Sequence, residues 1–306
     1  MNFERLMLLH ELAAHGTITA AARATFRTPS AVSQQLKLLE KEVGVQLLEP
    51  SGRGVRLTEA GHILADGALE VQTVLNRIEA VIDDFKTELR GEVLISTFPT
   101  AGEMLLPGTI RRLEDSPGIH IECTDRDALA NEYVTMLTDF HVVLAYAEHG
   151  NTPWLHKDVI STPLLTEPVD VVIPADHPLA QKKALTAHDV ISVPWIGSPE
   201  GFPFDVRRRI IEQAAGTRAH IVQRVADNHL ASAFVSEGIG IAFLPRFTTA
   251  PRAGDGFALR PLRGISLARD IVALTRRDHH QRRVIQRVLS ALVDEAHDVV
   301  ARNASA

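Results

Sequence analysis

The sequence holds a single cysteine, Cys123, in 306 residues. An internal disulfide is therefore impossible, and a cysteine-based zinc site is not expected. No run approaches 18 consecutive apolar residues, so no transmembrane helix is expected. The opening Met-Asn-Phe-Glu-Arg-Leu-Met lacks a basic stretch followed by a long apolar core, so no signal peptide is expected and the reading is cytoplasmic. Familiar catalytic signatures are also missing: there is no Gly-x-Ser-x-Gly, no phosphate loop and no His-Glu-x-x-His. No enzyme and no cofactor is expected on that basis. The 14 histidines, among them His279 and His280 between arginines, leave a metal or anion patch as the rival to a solvated helix start. What is present is ordinary for a folded chain, at 45% hydrophobic and 23% charged. That composition excludes a disordered protein, and the length suits two domains.

Net charge is −6 but unevenly spread. Residues 1–58 carry seven Lys/Arg against five Asp/Glu, whereas 59–90 carry three against seven. Only the first segment is net positive, which weakly suits a phosphate-facing surface.

Leu6, Leu9, Leu12 and Ala13 repeat at helical spacing and predict a helix over 3–14. Thr17 and Thr19 precede Ala20-Ala21-Ala22, a cap followed by strong helix formers. Thr28 caps a third helix that begins with Pro29, runs to about Val43 and stops at Gly44. Val32, Leu36 and Leu39 make its inner stripe, leaving Ser30, Ser33, Gln34 and Lys37 outside. Such hydrogen-bonding side chains suit a helix in a major groove, or else an ordinary solvated face. Apolar residues then flank Ser51-Gly52-Arg53-Gly54, the pattern of a small hairpin with Arg53 at its tip.

From 59 to 90 no proline occurs, and Leu64, Ala68, Val71, Leu75, Ile78, Ile82, Phe85 and Leu89 are spaced 4, 3, 4, 3, 4, 3, 4. That heptad seam predicts a coiled coil with a second copy of the chain, or a long helix packed on its own domain. Beyond 91, apolar β-branched runs lie at 92–97, 119–124, 141–146, 168–173, 193–197, 220–225, 239–244 and 269–275. Helical patterns lie at about 104–116, 128–138, 205–215 and 228–237. The alternation predicts α/β with mostly parallel sheets.

The string from Ser30 to Leu48 and the string Gly52-Arg53-Gly54-Val55-Arg56-Leu57-Thr58-Glu59-Ala60-Gly61 resemble the recognition helix and wing of LysR-type transcriptional regulators. The phrases Pro174-Ala175-Asp176-His177-Pro178 and Ser236-Glu237-Gly238-Ile239-Gly240 resemble their effector domain, so the likeness runs through the chain. It implies an N-terminal winged helix-turn-helix over 1–58 and a linker helix over 59–90. It also implies a C-terminal two-lobed α/β effector-binding domain over 91–306, similar to periplasmic binding proteins. Lobe one is expected at 91–164 and 270–306, lobe two at 165–269. The resemblance makes Thr28, Ser30, Ser33, Gln34, Lys37 and Arg53 operator-contacting residues and favours the groove-facing reading of the third helix. Its implied partners are double-stranded DNA carrying an inverted repeat, a small-molecule effector, RNA polymerase, and further copies in a homodimer or homotetramer. The rival readings are a solute-binding protein, an enzyme built on the two lobes, and a protein that coats DNA without sequence preference.

The chain departs from the family pattern at Thr25 and Arg27, where apolar residues are usual, and at Pro50, where a basic one is. Phe26 is the expected substitute for the missing apolar contact. Ligands of open α/β sheets meet strand ends and helix N-termini, which singles out three joints: 97–101, 197–204 and 226–229. Phe98, Thr100, Ser198, Phe202 and Asn228 are the candidate effector-binding residues, with helix capping or core packing as the plain alternative for each. Cys123 sits in an apolar strand pattern and is expected to be a buried thiol.

Overall fold

Capping chemistry sets the N-terminal helices in a computed structural model that describes residues 1–52, 54–83, 89–254, 256–265 and 267–304. Helix α1 (Phe3–His15) starts at Asn2, whose side chain accepts the Arg5 N–H. Helix α2 (Ile18–Ala24) starts at Thr17. Helix α3 (Pro29–Val43) starts at Thr28 and ends at Gly44, which is left-handed at φ 77°. A side chain is strained there, so glycine ends the helix cleanly. Leu9, Leu12, Ala21, Val32, Leu36 and Leu39 are all buried in one small core. An antiparallel hairpin of β1 (Leu48–Ser51) and β2 (Gly54–Leu57) follows, in register from Leu48 against Leu57. The Glu40 carboxylate accepts the N–H groups of Leu47 (2.9 Å) and Leu48 (3.0 Å), fastening the hairpin base to α3.

Helix α4 (Glu59–Asp83) leaves this headpiece. Its start is close against the hairpin: a Cβ on Gly61 would lie 2.3 Å from the Leu47 carbonyl oxygen. The heptad seam divides in two. Leu64 packs on the headpiece core and Ala68 is buried, whereas Val71, Leu75, Ile78 and Ile82 stand 38–53% exposed. The start of the seam is thus buried within the chain itself, and the stretch from Val71 to Ile82 leaves its apolar side chains exposed. Phe85 lies outside the described residues.

The remaining chain runs through β3 (Gly91–Thr97), α5 (Pro99–Arg111), β4 (Ile119–Asp125), α6 (Tyr133–Met136), β5 (Val142–Glu148) and β6 (Val159–Pro174). Then come α7 (Ala187–Val190), β7 (Trp195–Gly197), α8 (Pro203–Ala215), β8 (Ile221–Arg224) and α9 (Asn228–Ser236). Last are β9 (Ala242–Pro245), α10 (Arg246–Thr249), β10 (Phe257–Arg260), β11 (Ala268–Arg276), α11 (Arg277–His280) and α12 (Arg283–Ala304). The strand order is β10-β6-β11-β5-β3-β4, with β9 also on β6. The 16-residue β6 belongs to both lobes. Its first half pairs with β11, and its second half with β9 and β10. One lobe has its core on β3, β5 and α12, and the other on β6, β7, α8 and β9.

Several expectations need correcting. The sheets are mixed rather than mostly parallel: β3 is parallel to β4 and β5, and β7 to β8, but β11 runs antiparallel to both its neighbours. It returns from the second lobe in the direction opposite to β6, so parallel pairing is excluded there. Helix α5 begins at Pro99 rather than 104, because proline fits the first helical position. Only Tyr133–Met136 is helical within 128–138. The Glu132 carboxylate instead accepts the Leu129 N–H and the Arg126 guanidinium, folding that stretch into turns. Cys123 is exposed, since β4 is the edge strand. Its thiol is pushed up in pKa by partial desolvation and by Glu122, the reverse of an activated thiol.

Candidate nucleic-acid interface and ligand cleft

Thr28, Ser30, Gln34 and Lys37 lie exposed along one side of α3, and Ser33 is half-buried. The Thr28 hydroxyl accepts the Ala31 N–H at 3.2 Å and sits 3.1 Å from the Ser30 hydroxyl. Gln34 and Lys37 make no hydrogen bond or ion pair among the described residues, so their polar ends are available to an outside partner. Gln35, one residue along, is engaged inward by the Arg5 Nε at 2.9 Å. Arg53 lies outside the described residues. Glu49 and Arg56 face each other across the hairpin at 2.8 Å, so the wing's second arginine is neutralised in place.

Phe26 does not substitute for the missing apolar contact. It is 99% exposed with φ 53°, in the left-handed region. Hydrogen bonds close the turn instead. Thr25 Oγ1 donates to the Ala21 carbonyl at 2.8 Å, the Arg27 N–H donates to the Ala22 carbonyl at 2.8 Å, and the Arg27 side chain pairs with Glu4 at 3.3 Å.

The headpiece also meets the sheet-bearing part of the chain. Asn76 on α4 donates to the Asp278 carbonyl at 2.8 Å in a buried contact. Arg276 donates to His10 Nε2 on α1 at 3.0 Å and pairs with the Asp278 carboxylate at 3.1 Å. Burial, then the Arg276 charge, lowers the His10 pKa. Burial likewise pushes His279 down to about 4. His279 and His280 are therefore half-buried at a junction rather than on a solvated helix start. Among the described residues, no group of three or more His, Cys, Asp or Glu is arranged to hold a metal.

A cleft lies between the lobes. The structure brings Phe98, Thr100, Ser198, Phe202 and Asn228 together in its lining. Thr100 enters from the first turn of α5, Ser198 and Phe202 from the loop after β7, and Asn228 from the first turn of α9. Phe98 is both wall and core, at 3% exposure. Helix N-termini offer N–H groups that the helix cannot pair internally, and two of them converge here.

Sequence reasoning missed one residue of this lining, Arg269 on β11. Its guanidinium is almost fully buried. Nε and Nη2 donate to the Glu167 carboxylate at 2.9 and 2.6 Å, and Nη2 also donates to Thr100 Oγ1 at 2.7 Å. The Phe98 and Tyr146 rings each lie 5.1 Å from its central carbon, a cation–π arrangement on two rings. Glu167 stands directly opposite Arg269 in the strand register. Beside them, burial and then the charge of Arg269 hold the Arg207 pKa down to about 10. Asp127 and Glu103 also line the cleft, and His229 Nε2 reaches Glu103 Oε2 across it at 3.7 Å. The Ser198 hydroxyl oxygen is buried without a hydrogen-bond partner among the described residues.

Comparison with known proteins places two family patterns on the chain. "Bacterial regulatory helix-turn-helix protein, lysR family" matches residues 3–62, and "LysR substrate binding domain" matches residues 86–297. The transcriptional dual regulator GltC of Bacillus subtilis is 29% identical over 262 residues, covering 82% of this chain and 84% of its own. The HTH-type transcriptional activator CmpR of Synechocystis sp. is 25% identical over 248 residues, covering 80% and 79%. Among solved structures, a full-length OxyR variant from Pseudomonas aeruginosa superposes with a TM-score of 0.66 at 22% identity, over 95% of this chain and 94% of that one. Full-length CbnR in complex with its target DNA gives 0.52 at 23% identity, over 97% and 100%. These last two likenesses concern the fold.

Proposed function

The chain belongs to the LysR family of bacterial regulatory proteins, and from that premise we propose that it is a sequence-specific DNA-binding transcriptional regulator under the control of a small molecule. The observation that carries this is the pairing of two surfaces in one chain. One is an α3 face whose Gln34 and Lys37 side chains have no partner among the described residues; the other is an interlobe cleft lined by two helix N-termini. Residues 1–58 bind DNA, 59–90 join two copies, and 91–306 hold the effector. Thr28, Ser30, Ser33, Gln34 and Lys37 supply donors and acceptors to base edges and phosphates, and Arg53 reaches the backbone from the wing. Val71, Leu75, Ile78 and Ile82 form an exposed apolar stripe of the kind a second linker helix covers. A two-fold pair of recognition helices matches an inverted-repeat operator, and two such pairs make the tetramer. RNA polymerase is the partner on the promoter side. CbnR has been solved in complex with its target DNA, and the same chemistry is proposed for this chain.

Effector binding acts by favouring one arrangement of the lobes, which requires unequal affinity for the alternatives. The reading makes the chain a regulator rather than an enzyme, acting in the cytoplasm where the DNA is. No helix among the described residues is long and apolar enough to cross a membrane. Footprinting of the purified protein on its own upstream region at two salt concentrations tests the reading. A discrete protected dyad that survives the higher salt supports it, and diffuse protection lost with salt overturns it. In the same assay Gln34→Ala is expected to lose about 1–3 kcal/mol of discrimination between bases. Lys37→Ala is expected to weaken all sequences alike and lower the salt slope by about one. No effect from either change means that α3 does not face DNA.

A further inference from the structure

Which chemistry fits the cleft follows from the groups that stand unclaimed in it. One is Arg269, 2% exposed, whose Nε and Nη2 are engaged but whose Nη1 makes no hydrogen bond among the described residues. Beside it are the Thr100 hydroxyl, whose oxygen already accepts from Arg269 and whose proton is left to give, and the start of the 13-residue helix α5. Also in the lining is the Ser198 hydroxyl, whose oxygen is buried and has no hydrogen-bond partner among the described residues. All of these donate, and together they call for a carboxylate.

The opposite charge is also present and also unclaimed. Of the three acidic side chains in the lining, Glu103 meets His229, and Asp227 caps α9 by accepting the Leu230 N–H at 2.6 Å. Asp127 has neither an ion pair nor a hydrogen bond among the described residues. Loss of surrounding water pushes its pKa up, and the Arg269 charge only partly opposes this. A cationic group beside it would relieve that penalty.

The cleft therefore holds a cation and an anion that face it without pairing with each other. Because Glu167 already neutralises Arg269, the lining as a whole is acidic. A plain anion would satisfy Arg269 but meet Asp127 and Glu103. A plain cation would satisfy Asp127 but leave the buried Ser198 hydroxyl unmet, and an unmet buried donor is costly. Phe98, Tyr146, Phe202 and Phe204 supply apolar walls.

We propose that the ligand is a free α-amino acid with an uncharged, largely apolar side chain, its carboxylate at Arg269, Thr100 and Ser198 and its ammonium at Asp127. The assignment rests on the reading of the chain as a ligand-responsive regulator. Its test is separate from the DNA assay.

The proteinogenic L-amino acids, added singly at millimolar concentration, are screened for a rise in the melting temperature of the full-length protein. Each one that binds is compared by calorimetry with its N-acetyl derivative, which lacks the ammonium, and with its amide, which lacks the carboxylate. At least one apolar amino acid is expected to bind, with both derivatives weaker by tenfold or more, the size of a lost charged hydrogen bond. Asp127→Asn is expected to weaken the free amino acid by at least tenfold and leave any residual binding of the N-acetyl derivative unchanged. Its ligand-free melting temperature serves as the check that the variant is folded. Four results overturn the proposal: no amino acid binds; the N-acetyl form binds as tightly as the free acid; the amide does so; or an acidic amino acid binds best. A protected operator without amino-acid binding removes only this inference. Amino-acid binding without a protected operator removes only the regulator reading.

Discussion

Removing Glu167 isolates what holds the two crossover strands together at the cleft. In the native chain its Oε2 accepts two N–H donors from Arg269, and its Oε1 accepts the Phe247 N–H at 2.9 Å. Glu167 is fully buried, so solvent screening of this pair is minimal. Glu167→Leu leaves the Arg269 charge buried without its counter-ion, which costs about 3–5 kcal/mol. It also leaves the Phe247 N–H unpaired, adding about 1–3 kcal/mol. The two cation–π contacts and the Thr100 bond remain and offset part of this, so a net loss of about 3–5 kcal/mol is expected. Arg269→Met alone leaves the carboxylate buried and is expected to cost a similar amount. The double variant carries no unpaired charge and loses much less than the sum, giving a coupling of about 2–4 kcal/mol. Urea unfolding of the four proteins, followed by fluorescence of Trp154 and Trp195, supplies the cycle. If Glu167→Leu costs less than about 1 kcal/mol, or the two changes simply add, the buried pair is not a linked unit and the account of the cleft floor is wrong.

Further expectations concern other parts of the chain. Ile78→Lys puts a charge into the exposed stripe of α4, and losing two apolar contacts per dimer is expected to weaken dimerisation by about 100-fold or more. Sedimentation at micromolar concentration reads this directly, and an unchanged dimer refutes the linker interface. Stability is expected to fall as the pH drops from about 6.5 towards 4. His279, held down to about 4, and His10, also lowered, stay neutral when folded, while the unfolded chain takes up protons. For His279 alone the loss is about 2–3 kcal/mol at the acid end, and a His279→Gln variant should show a flatter melting-temperature profile over that window. For Gly61→Ala, helix propensity predicts a gain of about 1 kcal/mol. The overlap with the Leu47 carbonyl predicts a loss of about 1–3 kcal/mol, so the variant should melt lower and bind operator more weakly. A higher melting temperature would show that the hairpin base yields.

The parts of this molecule legible in its sequence are those decided locally. Thr28, Pro29 and Gly44 mark the ends of α3 by capping and left-handed geometry, and the 4, 3 spacing of Val32, Leu36 and Leu39 fixes its inner face. The five cleft residues were reachable because strand ends followed by helix starts are visible as joints in the chain. Arg269 was not, because its meaning depends on Glu167, placed opposite it by register across 102 residues. The first half of β6 was hidden by Ser161, Thr162 and Pro163, which break the apolar run although both flanks are sheet-bound. Phe26 misled because hydrophobicity alone suggests burial, whereas backbone hydrogen bonds from Phe26 and Arg27 close the turn and leave its ring outside. Cys123 misled for a related reason: nothing local tells an edge strand from a central one.

Strand β11 has Arg269 near one end and Arg276 at the other. The seven residue steps from one to the other span about 23 Å of extended chain. The first side chain forms the floor of the ligand cleft, and the second touches His10 in the DNA-binding headpiece. Seven is odd, so on a pleated strand the two point to opposite faces. Ligand and operator are thus the two loads on a single strut, and a displacement at either end is carried by covalent backbone rather than by a relay of side chains.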